Sequence, residues 1–534
     1  MEKVDLEMTG IGINKRIGFM IVVMMLLLIG GFSQVEASTG YNQLDLIEFS
    51  SYLGGSDDES MGVSFAFGDT IVDSKGNIIV VGTSYSDDFP VKNAYQGHLN
   101  GARDSIIAKF HPNGSLIFST YLGGSALEFI SGIAVDSEDN IILAGETGST
   151  DYPLVNPYES NCSGLNLFIT KISEDGQSLL FSTVFGGTGS DYLYAMGMDS
   201  SGRIAITGTT ASTDFPLLNP TQSVPAGNLD VYISFFEADG QSLLFSTYLG
   251  TSGIDHGRQI GFDSEGNVVI AGMIANGLLA TDGAYQEEYG GGSSDAFVAK
   301  YTTNGTLEYF TFLGGEDLDT ANDMAIDDND NIVVTGYTIS DNFPCLNAIQ
   351  AEPVDRAEIF ITKLTPNGKD LVFSTLLGGS AADYGNAIKV DSQGRILITG
   401  QTSSNDFPTT FPLNISESRY YDSLLVMLNQ DGSLLFSTLF GGTRDDIGMG
   451  VAWHSNDTIV IFGYTDSPDF PVEDAYQGTH SGSNDMFIMK LNLAGMIDVP
   501  PAGLPFGVIE GVIIVGVVLI VLISVVFLRK RMGQ

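Results

Sequence analysis

Short, unbroken apolar runs recur along the chain, such as Ile78-Ile79-Val80-Val81 and Ile332-Val333-Val334. A strand with one wet face alternates apolar and polar residues, whereas a strand covered on both faces reads as a continuous run. Tight turns of the form Asp73-Ser74-Lys75-Gly76-Asn77 and Asp263-Ser264-Glu265-Gly266-Asn267 precede these runs. Glycine there supplies positive φ, and the Asp side chain bonds its own turn. In one stretch, Gly132 to Asp136 predicts a strand, Ser137-Glu138-Asp139-Asn140 a turn, and Ile141 to Glu146 its hairpin partner. A longer loop carries Asp151-Tyr152-Pro153; Leu167 to Ile172 is a third strand, Glu174-Asp175-Gly176 a turn, and Leu179 to Phe185 a fourth. The unit is a four-stranded antiparallel meander.

The meander repeats. Phe49-Ser50-Ser51-Tyr52-Leu53-Gly54-Gly55 returns with its first glycine at Gly123, Gly186, Gly250, Gly314, Gly378 and Gly441, at intervals of about 64 residues. Small sheets covered on both faces and repeated seven times predict radial packing, an all-β, single seven-bladed β-propeller over residues 38–497. The chain enters through a lone strand of the fourth type, Leu44 to Leu53. The last repeat supplies Val451 to Trp453, Ile459 to Gly463 and Met486 to Leu491, then no fourth strand. Completing the seventh blade with the N-terminal strand removes an open sheet edge and closes the ring.

Both ends differ from this pattern. Lys15 and Arg16 precede an apolar run from Ile17 to Phe32, and Val35-Glu36-Ala37 offers small residues for cleavage. Residues 1–37 are therefore a signal peptide or a retained N-terminal anchor. Gly511 to Leu528 is apolar except for Ser524 and is followed by Arg529-Lys530-Arg531. This predicts a transmembrane helix over 509–528, a cytoplasmic basic tail over 529–534, and a Pro/Gly spacer over 498–508.

Composition narrows the function. The chain of 534 residues has 22 Lys+Arg against 65 Asp+Glu, a formal net charge of -43. A field of that sign repels phosphate backbones and argues against nucleic-acid partners. Cys162 and Cys345 match no metal or redox spacing, and the five histidines form no ligand pair. The sequons at Asn113, Asn161, Asn304, Asn414 and Asn456 allow glycosylation outside a cell. Asp327-Asp328-Asn329-Asp330-Asn331 starts like a calcium loop but has Ile332 and Thr338 where an EF-hand needs Gly and Glu.

The succession F-S-T-Y-L-G-G, D-S-x-G-N before an apolar strand, then T-x-S-x-D-F-P resembles the SBBP family, the seven-bladed β-propeller repeats of secreted and surface proteins of bacteria and archaea. The likeness covers roughly residues 43–492. It implies a fold and an exterior location, with no shared reaction, ligand or catalytic residue. Met273 to Leu279 replaces T-x-S-x-D-F-P in the fourth repeat, and His454 replaces the turn Asp in the seventh.

Two acidic sets repeat with the blades. One follows the glycines: Glu59, Glu128, Asp191, Asp255, Asp319, Asp383 and Asp446. The other opens the third strand: Asp104, Asp230, Asp295, Glu358, Asp422 and Asp485, with Asn166 in the second repeat. Both sets belong to one face. Crowded carboxylates there are a candidate mouth for cations, calcium being the ion such a set would take; equally, each carboxylate can accept backbone N–H bonds and fix blade spacing. Asp-Phe-Pro, as in Asp88-Phe89-Pro90, predicts Phe wedged between blades and Asp capping the turn.

The sequence thus reads as a single-pass cell-membrane protein, propeller outside and C-terminus inside, acting as a binding, adhesion or structural module toward a glycan or protein. The alternative is an extracellular enzyme acting on polysaccharide or a small molecule in the central funnel. Against it stand a lone tryptophan, Trp453, and the lack of a G-x-S-x-G elbow. An enzyme should show a few non-repeating polar residues clustered at the axis, a scaffold only residues that repeat sevenfold.

Overall fold

The computed structural model describes residues 46–59, 68–160, 164–275, 277, 280–354, 356–410 and 420–494. The expected signal or anchor, spacer, transmembrane helix and basic tail, and the sequons at Asn161 and Asn414, lie outside the described residues. Among the described residues no helix is long and apolar enough to cross a membrane.

Among the described residues, twenty-eight strands form seven four-stranded antiparallel sheets. Blade 1 comprises Asp69–Val72, Ile78–Ser84, Asp104–Phe110 and Leu116–Leu122; blade 2, Glu128–Val135, Ile141–Thr147, Asn166–Ile172 and Leu179–Phe185. Blade 3 comprises Asp191–Met198, Ile204–Thr210, Asp230–Phe236 and Leu243–Leu249; blade 4, His256–Phe262, Val268–Ile274, Asp295–Tyr301 and Leu307–Leu313. Blade 5 comprises Asp319–Ile326, Ile332–Thr338, Glu358–Leu364 and Leu371–Leu377; blade 6, Asp383–Val390, Ile396–Thr402, Asp422–Leu428 and Leu434–Phe440. Blade 7 takes Asp446–Ser455, Thr458–Thr465 and Asp485–Asn492 from the end of the ring and Ile47–Leu53 from its start. That closing pair is antiparallel, Leu53 facing Met486 and Ile47 facing Leu491, as the sequence predicts.

First strands of neighbouring blades touch one another, which places them innermost around the axis. Apolar side chains fill the wedges between blades. Ile79, Val81, Ile107 and Phe118 of blade 1 pack against Ile130, Leu143 and Phe168 of blade 2, and comparable clusters fill the other junctions. Both faces of each sheet are thus buried, the reason for the continuous apolar runs. The outer strand is not left open: after Asp-Phe-Pro the loop runs beside it, bridging Lys92 to Ser119 and Gln96 to Tyr121 in blade 1 and Val155 to Ser182 in blade 2. A covered edge cannot recruit another chain's strand.

The turn Asp does more than bond its own turn. Asp73 accepts from the Lys75 and Asn77 amides at 2.9 and 2.8 Å, and it also receives Lys109 Nζ from the third strand at 2.9 Å. Lys171–Asp136, Lys300–Asp263 and Lys363–Asp327 repeat the pair in blades 2, 4 and 5. In blade 7, where His454 stands in place of the Asp, Lys490 turns to Glu48 at 2.9 Å. Lys109 is only 1% exposed. Lys109→Ala should cost about 3–5 kcal/mol, because it strands a buried carboxylate, and urea unfolding will measure it.

The inner strands begin earlier than sequence patterning indicates. Blade 2 starts at Glu128, not Gly132, and a bulge at Ser131 breaks the pairing between Ile130 and Gly132. The same bulge falls at Tyr194, Arg258, Asn322, Asn386 and Met449 in blades 3 to 7. An extra residue upsets the inside–outside alternation and re-aims side chains, so the upstream half of the strand carries no clean period.

Candidate functional site

At one end of the blades the two acidic sets meet. The register sets the second-set acid at the start of one blade's third strand and the first-set acid at the start of the next blade's inner strand. They converge over the glycine ending the outer strand: a Cβ on Gly123 would lie 2.5 Å from both Asp104 Oδ1 and Glu128 Oε2, and one on Gly441 2.8 Å from Asp422 Oδ1 and 2.7 Å from Asp446 Oδ2. The pairs are Asp104–Glu128, Asp230–Asp255, Asp295–Asp319, Glu358–Asp383, Asp422–Asp446 and Asp485–Glu59, with Asn166 facing the same glycine as Asp191 in the remaining junction. All these side chains are buried. Gly123→Ala drives a methyl group into two carboxyls and should cost about 1–3 kcal/mol, read from the midpoint of a denaturant titration.

Each first-set acid ties down the loop it follows. Gly55 and Gly124 donate N–H to Glu59 and Glu128 at 2.9 and 3.0 Å, and Gly187 and Gly379 to Asp191 and Asp383 at 2.8 and 2.7 Å. Thr251, Gly315 and Gly442 serve Asp255, Asp319 and Asp446 in the same way. A hydroxyl ending the second strand supplies another bond, Ser84 to Glu59 at 2.7 Å and Thr147 to Glu128 at 2.7 Å. The second set binds loop amides: Asn100 N to Asp104 at 2.9 Å, Ala226 N to Asp230 at 2.5 Å, Gly290 N to Asp295 at 2.6 Å, Val354 N to Glu358 at 2.8 Å and Ser481 N to Asp485 at 2.7 Å. Oδ1 of Asp295, Asp422 and Asp485 has no hydrogen-bond partner.

Burial pushes these carboxyls up. Glu59, Asp295, Asp422, Asp446 and Asp485 reach about 7, and Asp319 and Asp383 about 6. Burial first, and the neighbouring carboxyl second, disfavour full ionisation, so a pair keeps a proton that the unfolded chain has lost. Asn166 fits this account, since an amide carries N–H donors at every pH. Among the described residues no three His, Cys, Asp or Glu side chains form a group able to hold a metal ion.

The Asp of Asp-Phe-Pro caps a different loop from the one the sequence indicates. Asp88 Oδ1 accepts from Ser56 N at 2.7 Å and Ser56 Oγ at 3.0 Å, and Asp151, Asp214, Asp406 and Asp469 repeat this bond. Phe89, Phe215 and Phe470 are buried as expected.

A second constellation lies on the axis, and sequence reasoning missed it. The inner strands enclose a cavity of about 400 Å³ lined by Asp69, Ser131, Tyr194, Gln259, Lys389 and Trp453 with Ile133, Met196, Ile260 and Met324. Apart from Asp69, whose place is taken in blade 5 by Asp323, these polar residues do not repeat from blade to blade. Ser131 and Tyr194 are bulge residues, and Gln259 directly follows one. Asp323 braces the wall: its carboxylate accepts from Met324 N and Ile388 N, both at 2.7 Å, and from Gln259 Nε2, with Lys389 Nζ 3.6 Å away. Asp69 is pushed up by burial, with Lys389 pulling the other way. Nearer the acidic end, Glu146 Oε1 accepts from Leu193 N at 2.9 Å while Oε2 is unpartnered, and burial raises this acid to about 8. His256 Nδ1 lies 2.9 Å from Thr209 Oγ1, and burial holds its ring down at about 3. The only available sequence signal was the variability of these inward positions inside an otherwise regular repeat.

The SBBP model, described as a beta-propeller repeat, matches residues 117–153, 308–344 and 372–408. The chain carries SBBP repeats. Each matched SBBP segment runs from an outer strand through the acidic junction to Asp-Phe-Pro or its variant. An uncharacterised WD repeat-containing protein of Acanthamoeba polyphaga mimivirus is 23% identical over 486 residues, spanning 73% of this chain; the chain covers 34% of that relative's length. Among solved structures, a protein of unknown function from Dyadobacter fermentans superposes with a TM-score of 0.37 at 11% identity, covering 84% of this chain and 98% of that one. The Neurospora crassa Pan2 WD40 domain gives 0.40 at 8% identity, covering 83% and 95%. Superpositions at these scores support no argument.

Proposed function

We propose that this SBBP propeller is a binding module displayed at a cell surface. Residues 1–37 export it, 509–528 hold it as a single-pass protein, 529–534 stay in the cytoplasm, and the propeller meets a glycan or protein outside. One observation carries the binding role: the acidic junctions recur around the ring and bond chiefly to their own loops, whereas the axial groups Ser131, Tyr194, Gln259 and Lys389 follow no repeat. Residues that only build the scaffold repeat with it; residues that meet one ligand need not. The full chain, expressed in a bacterial or archaeal host, should stay with the membrane fraction and lose its propeller when intact cells are treated with protease. Purified, it should bind a restricted set of glycans or surface proteins on arrays. Protection from the protease, or an array that stays blank, contradicts the respective half.

The non-repeating axial groups also fit the second reading, an extracellular enzyme acting in the funnel. Turnover of polysaccharide or small glycosides by the purified chain would establish it, and binding without turnover would dismiss it.

A further inference from the structure

The polar groups of the axial cavity are of mixed type, and their mixture selects a ligand. Ser131 is 7% exposed, lines the cavity, and its Oγ has no hydrogen-bond partner. Trp453 Nε1, on another wall, is likewise an unpartnered donor. Asp69 spends Oδ1 on Thr70 N at 2.7 Å, which leaves acceptor capacity on the rest of its carboxylate. Lys389 lies 3.6 Å from Asp323 Oδ2, and an ammonium has three donors. Gln259 and Asp323 are committed to each other and to backbone amides, so they hold shape more than they offer bonds.

Each charged ligand class meets an obstacle here. An anion would face Asp69 and Asp323 in a confined space, and a bare metal ion would face Lys389 with few free oxygens. A neutral polyol meets neither difficulty. Its hydroxyls both donate and accept, which suits Asp69 on one side and Ser131, Trp453 and Lys389 on the others. Its C–H face can lie against Ile133, Met196, Ile260 and Met324. A space of about 400 Å³ takes a ligand of monosaccharide size.

We propose that the axial cavity binds a neutral polyhydroxylated ligand, a monosaccharide or the terminal sugar of a glycan, between Asp69, Ser131 and Trp453. The proposal rests on the binding role given above and adds the place and the chemical class.

The test uses the full chain in detergent and titrates it calorimetrically with glucose, galactose, mannose and N-acetylglucosamine. At least one sugar should bind, and Asp69→Asn and Ser131→Ala should each weaken it at least tenfold while the circular-dichroism melt stays within a few degrees of the parent. Trp453→Phe, which keeps the ring but loses the donor, should weaken it by a smaller factor. Sugar binding that all three variants retain places the site elsewhere and overturns the proposal. So does binding of calcium or spermidine in preference to every sugar. If the variants bind a glycan array as the parent does while free sugars show no axial binding, the broader role survives and the axial site fails. If the array is blank as well, both fail.

Discussion

The propeller should lose stability as pH rises through neutrality. Glu59 and Asp485 at one junction, and Asp422 and Asp446 at another, are raised to about 7 from ordinary values of 4.5 for Glu and 3.8 for Asp. Between those limits the folded chain holds protons that the unfolded chain has released. The stabilisation is complete below the unfolded values and is lost as pH climbs past the folded ones. With several junctions contributing in concert, the melting temperature should fall by on the order of 10 °C between about pH 5 and about pH 8.5. Below about pH 4 the trend reverses, because Asp73, Asp263 and Asp327 are held low by their lysine and asparagine partners despite burial. Asp485→Asn should flatten the neutral limb, gaining stability at the alkaline end, since the amide supplies its donor at any pH as Asn166 does. A melting temperature that rises from pH 5 to pH 8.5 would refute the shared-proton account. Restoration of the alkaline melt by millimolar calcium in the parent, absent in Asp485→Asn, would make the junctions cation sites.

Ring closure gives the other large effect. Tyr52 is 1% exposed; its hydroxyl donates to Ser467 O at 2.9 Å, and its ring meets Phe470 and His480. Tyr52→Ala should cost about 3–5 kcal/mol. Removing Leu46 to Leu53 altogether should be worse than any point change, because it bares the third strand of blade 7 and takes Phe49, Tyr52 and Leu53 out of two wedges of the core. The expected result is an early, broad melt and concentration-dependent association in light scattering. A truncated protein that melts with the parent and stays monomeric would mean the ring holds without its clasp.

The blades, their order and their closure were legible because each rests on local signals: turn glycines, apolar runs, and a strand type present at one end and missing at the other. The acids were visible as two separate series. Their meeting over Gly54, Gly123 and the equivalent glycines depends on which strands are neighbours, a matter no single repeat states. The Lys109–Asp73 pair was hidden for the same reason, since it joins a turn to a strand one hairpin further on. At the axis the difficulty was different. Ser131 and Tyr194 sit on bulges that break the strand period, Gln259 and Lys389 recur in no other blade, and Asp69 recurs only as Asp323 in blade 5, so a search for what repeats sevenfold passes over them.

The antiparallel clasp also sets where the two ends of the ring lie. Strand Ile47–Leu53 rises toward the acidic junctions while Asp485–Asn492 descends from them, so Ile47 and Asn492 both emerge on the side of the short hairpin turns. The long loops bearing Asp-Phe-Pro leave from the opposite end of the strands, the end at which the acids meet.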